Sequence, residues 1–186
     1  MTNTLIMTEQ DLYKLRYPIG EFTKPKIITS LHIKDWITDI EALPNTISEA
    51  TKNLNKDQLN YKYRPKGWTI KQVVHHCADS HINSLLRFKL ALTEDEPTIK
   101  PYFEARFAEL IDYKQPIDSA LSTLIGVHKK LGILLRHLTE DELQRKYIHP
   151  EHGKRFSLKE TIGVYAWHSN HHLAHIKQAL KFKGQF

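Results

Sequence analysis

Apolar positions along most of this chain recur at helical rather than strand spacing, and four stretches are long enough to build a bundle. The first runs from about Ser30 to Leu54, with Trp36, Ile37, Ile40, Leu43 and Ile47 in period. Pro44 lies inside it and, lacking an amide proton, should kink the helix or restart a turn. The second follows the breaker Pro65, Lys66, Gly67 and spans about Thr69 to Thr93, with Thr69 as N-cap and Gln72 placed to complete a capping box. A third opens near Pro116, well suited to a first turn, and continues to about Leu138. The fourth starts at Ser157, with Glu160 three residues on, and runs to about Lys183 before Gly184. Residues 94–115 read as a loop with a short helix at Glu104–Ile111, and HPEHGK at 149–154 as a turn. The pattern predicts an all-α fold, an antiparallel four-helix bundle with loop insertions, whose sites are built from side chains on facing helices.

Composition narrows the setting. A chain of 186 residues with 40% hydrophobic content can bury one good core, so residues 1–186 are expected to form a single domain. No apolar run approaches the roughly 18 residues of a membrane span, and the N-terminus lacks the layout of a secretory signal. The single cysteine, Cys77, excludes an internal disulfide framework, which fits a soluble protein of the reducing cytoplasm. The net charge of +6 is spread along the chain without a nucleic-acid-binding motif, so specific nucleic-acid binding is not expected.

Seven of the twelve histidines fall in two windows, VVHHCADSH with His75, His76 and His81, and WHSNHHLAH with His168, His171, His172 and His175. They lie on the second and fourth helices, the arrangement a shared metal site needs. Imidazole is a borderline-soft ligand, and three of them leave a divalent ion with an open position. On the last helix, about 100° per residue places His168 and His172 at the border of the apolar stripe, while His175 and His171 turn progressively away. The i, i+4 pair His168 and His172 can converge on one ion as in HExxH helices, but Ser169 stands where that motif has its glutamate. A general base must come from elsewhere and is not identified. On the second helix, periodicity makes His81 the more buried histidine and more a core residue than a ligand. His76 lies instead on a polar stripe with Gln72, Ser80, Asn83 and Arg87, which is either a pocket wall or solvated surface.

Four segments, YPIGEF at 17–22, GWTIKQVVHHCADSHINSLLRFKLALTE at 67–94, YIHP at 147–150 and YAWHSNHHLAHI at 165–176, resemble the DinB/YfiT-like family, in particular its YfiT branch of metal-dependent hydrolases. The resemblance implies one divalent ion per chain, zinc or nickel, held by one histidine of the second helix and an HxxxH pair of the last. Motif against motif, these are His76, His168 and His172. It also implies a homodimer and a small-molecule substrate. The wider family includes thiol S-transferases using low-molecular-weight thiols, of the bacillithiol-transferase type, so the open metal position is expected to activate either a water, its pKa lowered towards roughly 7, or a thiol. A non-catalytic metal-binding stress-response module is a third reading. Cys77 departs from the family pattern, where an aliphatic residue is expected, and its role is packing. Asp79, Ser80, Asn83, Glu160 and Thr161 are candidates to hold the distal ring nitrogens, and Arg87 to meet an anionic group.

Overall fold

A computed structural model describes residues 7–151 and 153–186; the first six residues of the chain and His152 of the HPEHGK turn lie outside it. Its elements are α1 (Glu9–Arg16), α2 (Ser30–Thr51), α3 (Lys56–Leu59), α4 (Ile70–Thr93), α5 (Glu104–Phe107), α6 (Asp118–Arg136), α7 (Glu140–Gln144), β1 (Lys146–His149), β2 (Lys154–Ser157) and α8 (Leu158–Phe182), with a 3-10 turn at Asp112–Lys114. The four long helices are those the periodicity predicts, and their starts follow the capping logic. Thr69 accepts from the Gln72 amide while the Gln72 side chain returns to the Thr69 amide. Ser157 accepts from the Glu160 amide, and α8 ends with Lys183 in the left-handed region at φ 52°, followed by Gly184 at φ 67°.

The bundle core divides into two apolar clusters. One gathers Ile37, Ile40, Phe88, Leu131, Leu158 and Ile162; the other gathers Leu43, Ile47, Val74, Leu124, Ile176 and Ala179. Following each helix from one cluster to the other gives its direction: α2 and α8 run one way, α4 and α6 the other. α2 packs on α8 and α6, and α4 on α6 and α8, so each helix has one parallel and one antiparallel neighbour. Parallel neighbours need a connection that returns along the bundle, and residues 94–117 supply it between α4 and α6.

Pro44 does not interrupt α2, which continues through it for 22 residues. Its missing N–H leaves the Ile40 carbonyl without its helical donor, and His128 of α6 replaces it, Nδ1 donating to that oxygen at 2.7 Å. A buried imidazole from a neighbouring helix thus completes the α2 ladder.

Three short helices, α1, α3 and α7, and the β1–β2 hairpin are not among the elements the sequence pattern predicts. The residues of the HPEHGK segment other than His152 lie at the tip of that hairpin, in which Tyr147 pairs with Phe156 and Ile148 with Arg155. Neither KYIH nor KRFS alternates apolar with polar residues, so no period-two signal emerges. The hairpin packs beside α4 and α8, and this places Tyr147 next to the histidine layer.

Candidate metal centre

Between the two apolar clusters lies a layer of imidazoles, buried except for the half-buried His168: His76 and His81 from α4, His128 from α6, and His168, His171, His172 and His175 from α8. One ring nitrogen from each of His76, His168 and His172 falls within 4.8 Å of the others, the only such group of His, Cys, Asp or Glu side chains among the described residues. These are the three histidines that the motifs single out as ligands. His76 Nε2 lies 3.2 Å from His168 Nε2. Two nitrogens bound to one tetrahedral zinc at about 2.05 Å stand roughly 3.3 Å apart, so the facing pair suits an ion between them. Burial, and secondarily the neighbouring imidazoles, lowers the pKa of all three, His76 to about 4. Neutral imidazoles with free lone pairs are what ligation requires. The donor set therefore fits a divalent first-row ion.

The outer ring nitrogens of two of these candidate ligands are held by further histidines. His175 Nε2 lies 3.0 Å from the Arg16 carbonyl, which can only accept, so this nitrogen carries the proton. Burial lowers the His175 pKa to about 3, so its Nδ1 keeps a lone pair and accepts from His172 Nδ1–H at 3.4 Å. That leaves the His172 Nε2 lone pair for a ligand. On the other side, His168 Nδ1 lies 3.2 Å from His81 Nε2. With the His168 Nε2 lone pair given to an ion, its Nδ1–H donates to His81, which in turn stacks on His128 with ring centroids 4.6 Å apart. His76 differs: its Nδ1 is buried without a hydrogen-bond partner, and its ring leans on Trp68 at 4.7 Å between centroids.

Several sequence expectations change here. Of the five candidates for holding distal nitrogens, only Ser80 approaches a ligand, its Oγ 3.3 Å from His168 Nε2, the inner rather than the distal nitrogen. Asp79 accepts from the Tyr113 hydroxyl at 2.7 Å, Asn83 donates to the Asp79 carbonyl, Glu160 faces Lys24, and Thr161 Oγ1 donates to the Ser157 carbonyl. These residues sit on the expected helices, but their side chains find nearer partners. His171 and His175, expected to turn away, are buried as well, because the α1 end and Tyr63 cover the outer face of α8: Tyr63 stacks on His175 at 3.7 Å, and Trp167 on His171 at 4.4 Å. His75 leaves the cluster and stacks on Tyr113. His81 is fully buried, as its periodicity predicts. Cys77 packs in the second apolar cluster, where burial holds its thiol well above the ordinary value and favours the neutral, packing thiol.

A cavity of about 840 Å³ opens onto His76, His168 and His172. Its walls carry the bases Arg16, Arg64, Lys66 and Arg87 and the acids Glu104 and Glu151. Tyr17, Trp68, Tyr147 and His149 of this wall lie in the YPIGEF, GWTIK and YIHP segments, but the residue pattern assigns them no part in the site, and Arg16, Tyr63, Arg64 and Lys66 lie outside those segments.

A helical bundle with a three-imidazole cluster at the base of an open cavity defines a candidate metalloprotein. Residues 39–176 match the model of the DinB superfamily, and the chain belongs to that family. A protein of Oceanobacillus iheyensis named "putative metal-dependent hydrolase" is 48% identical over 168 residues, 90% of this chain and 97% of that protein. One of Bacillus cereus with the same name is 51% identical over 167 residues, 90% of this chain and 96% of the relative. The solved structure of YfiT from Bacillus subtilis, described as "a probable metal-dependent hydrolase with an unusual four-helix bundle topology", superposes with a TM-score of 0.88 at 40% identity, covering 92% of this chain and 98% of that one.

Proposed function

We propose that this protein is a metal-dependent hydrolase of a small-molecule substrate, with one divalent ion, zinc or nickel, held by His76, His168 and His172. The observation that carries the reading is the convergence of those three neutral imidazoles at the floor of a cavity. Relatives about half identical to this chain bear the same description. A divalent ion in that cluster supplies Lewis acidity and lowers the pKa of a water towards roughly 7.

The chain's own residues do the rest. His175 and His81 keep the outer nitrogens of His172 and His168 engaged, which fixes the ring orientation and, at His172, leaves the inner lone pair free. Trp68 packs on His76 and shields it from bulk water. The cavity carboxylates Glu104 and Glu151 are the acid-base candidates, because Ser169 donates its hydroxyl to the Tyr165 carbonyl at 2.8 Å and is buried away from the opening.

The test is hydrolysis of ester and amide panels by zinc-loaded and nickel-loaded protein, beside an assay with a low-molecular-weight thiol and an alkylating electrophile. Hydrolysis that is lost on chelation and restored by metal is expected. Thiol-dependent turnover without hydrolysis would replace this reading by an S-transferase, and metal uptake with no turnover in either assay by a binding module.

A further inference from the structure

Arg87 has no counterpart in the metal chemistry, yet it lines the same cavity. It is half-buried, donates from Nη1 to the Tyr165 hydroxyl at 3.1 Å, and has a buried Nε without a partner. No ion pair to Arg87 occurs among the described residues. A guanidinium carries five donors, so one hydrogen bond leaves most of its capacity unused.

Its surroundings are phenolic. Tyr102, Tyr147 and Tyr165 all line the cavity, and in each the pKa is raised, chiefly by burial, with the Arg87 charge acting in the opposite direction. One cation therefore stands within electrostatic reach of three hydroxyls brought from three parts of the chain: the loop after α4, strand β1 and helix α8. Glu104 shares this wall and acts on Tyr102, but it forms no ion pair with Arg87. The Tyr165 ring lies 5.8 Å from the His168 ring, so the group is one side chain away from the metal cluster.

We propose that Arg87 with Tyr102, Tyr147 and Tyr165 forms an oxyanion subsite, and that the substrate carries a carboxylate or phosphate one aromatic side chain's breadth from the bond that is cleaved. The planar fork of arginine suits a two-oxygen anion, and the Tyr102 and Tyr165 hydroxyls donate to the remaining lone pairs, while Tyr147, whose hydroxyl pairs with Thr161 Oγ1 at 3.2 Å, closes the wall. A partly buried cation without a protein carboxylate gains most from an anion delivered by the ligand. The subsite names the substrate class of the proposed hydrolase and rests on that reading, but the binding test below does not depend on turnover.

Calorimetry on the full-length, metal-stripped protein compares 3-phenylpropanoate with its uncharged amide, and inorganic phosphate as a competitor. Stripping the metal prevents the carboxylate from reporting on the ion instead. The expected result is saturable binding of the carboxylate, roughly tenfold or more tighter than the amide, and Arg87→Gln lowering it to the level of the amide. Displacement by phosphate would extend the class to both oxyanions, and failure to displace would confine it to carboxylates. Equal binding of acid and amide, no saturable binding of either, or an Arg87→Gln protein that binds the acid as wild type does would overturn the subsite. The acid-against-amide comparison on wild type stands even where the variant fails to fold. With zinc-loaded protein, esters bearing a distal carboxylate should have roughly tenfold or more higher kcat/KM than neutral esters, a preference lost in Arg87→Gln. Hydrolysis without that preference rejects the subsite and spares the hydrolase; carboxylate binding without hydrolysis does the reverse.

Discussion

His168 and His172 on α8 differ from His76 on α4 in how they are held. Each of the first two meets another histidine at its outer nitrogen, His81 and His175 respectively, and the His175 arm continues to the Arg16 carbonyl at the end of α1. His76 has only the flank of Trp68, and its outer nitrogen is buried unpartnered. The two α8 imidazoles are oriented by directional bonds, and the carbonyl-anchored His175 also selects the tautomer of His172, while His76 is oriented by packing alone. A ring without a fixed outer partner rotates at lower cost, so on the proposed reading His76 would be the one to adjust as an ion enters.

Both sides of this comparison share a need for neutral imidazole, and the largest expected effect tests it. Burial lowers the His76 and His128 pKa from 6.5 to about 4, and that of His175 to about 3. Below pH 6.5 the unfolded chain takes up protons that the buried rings refuse, so the stability of metal-free protein is full above pH 6.5 and falls as the pH drops towards 4. The urea midpoint should decline steadily from about pH 7 to about pH 5; a flat midpoint would mean that these rings are not buried neutral.

The next effect separates the two kinds of ligand. His81→Phe or His175→Phe should weaken zinc binding by about 10–100-fold in a chelator competition, since each removes the hydrogen bond behind a ligand. Trp68→Leu, beside His76, should change it by less than about tenfold, there being no such bond to lose. Equal losses at all three positions would erase the distinction.

A smaller effect lies outside the site. His128→Leu removes the donor to the Ile40 carbonyl and should cost about 1–2 kcal/mol in urea denaturation. Adding Pro44→Ala restores a backbone N–H for that carbonyl, so the double variant should recover most of the loss. A double variant as unstable as His128→Leu would refute the replacement of one donor by the other.

The contrast between local and tertiary support also decides how much of the molecule is legible in its sequence. The long helices and their starts are legible because Thr69, Gln72 and Ser157 cap locally and the apolar period is sustained. His168 and His172 are legible because i, i+4 geometry is internal to one helix. Periodicity does not separate His76 from His81 as a ligand: the more buried ring, His81, supports a ligand, while the ring on the polar stripe faces the cavity. That stripe does supply a pocket wall through His76, Ser80 and Arg87. The covering of His171 and His175 leaves no trace in the pattern because α1 contributes no buried residue of its own; it acts through a backbone carbonyl, which no side-chain period reports. The phenols of Tyr102 and Tyr147 come from a loop and a four-residue strand, and only the tertiary fold brings them to Arg87.

The most direct test is metal stoichiometry after chelation and reconstitution with zinc, on wild type and on His76→Ala, His168→Ala and His172→Ala separately, with folding checked by circular dichroism. One ion per chain in wild type and none retained by the folded variants is the expected result. Wild type without stoichiometric metal, or all three variants retaining it, would contradict a shared three-histidine site.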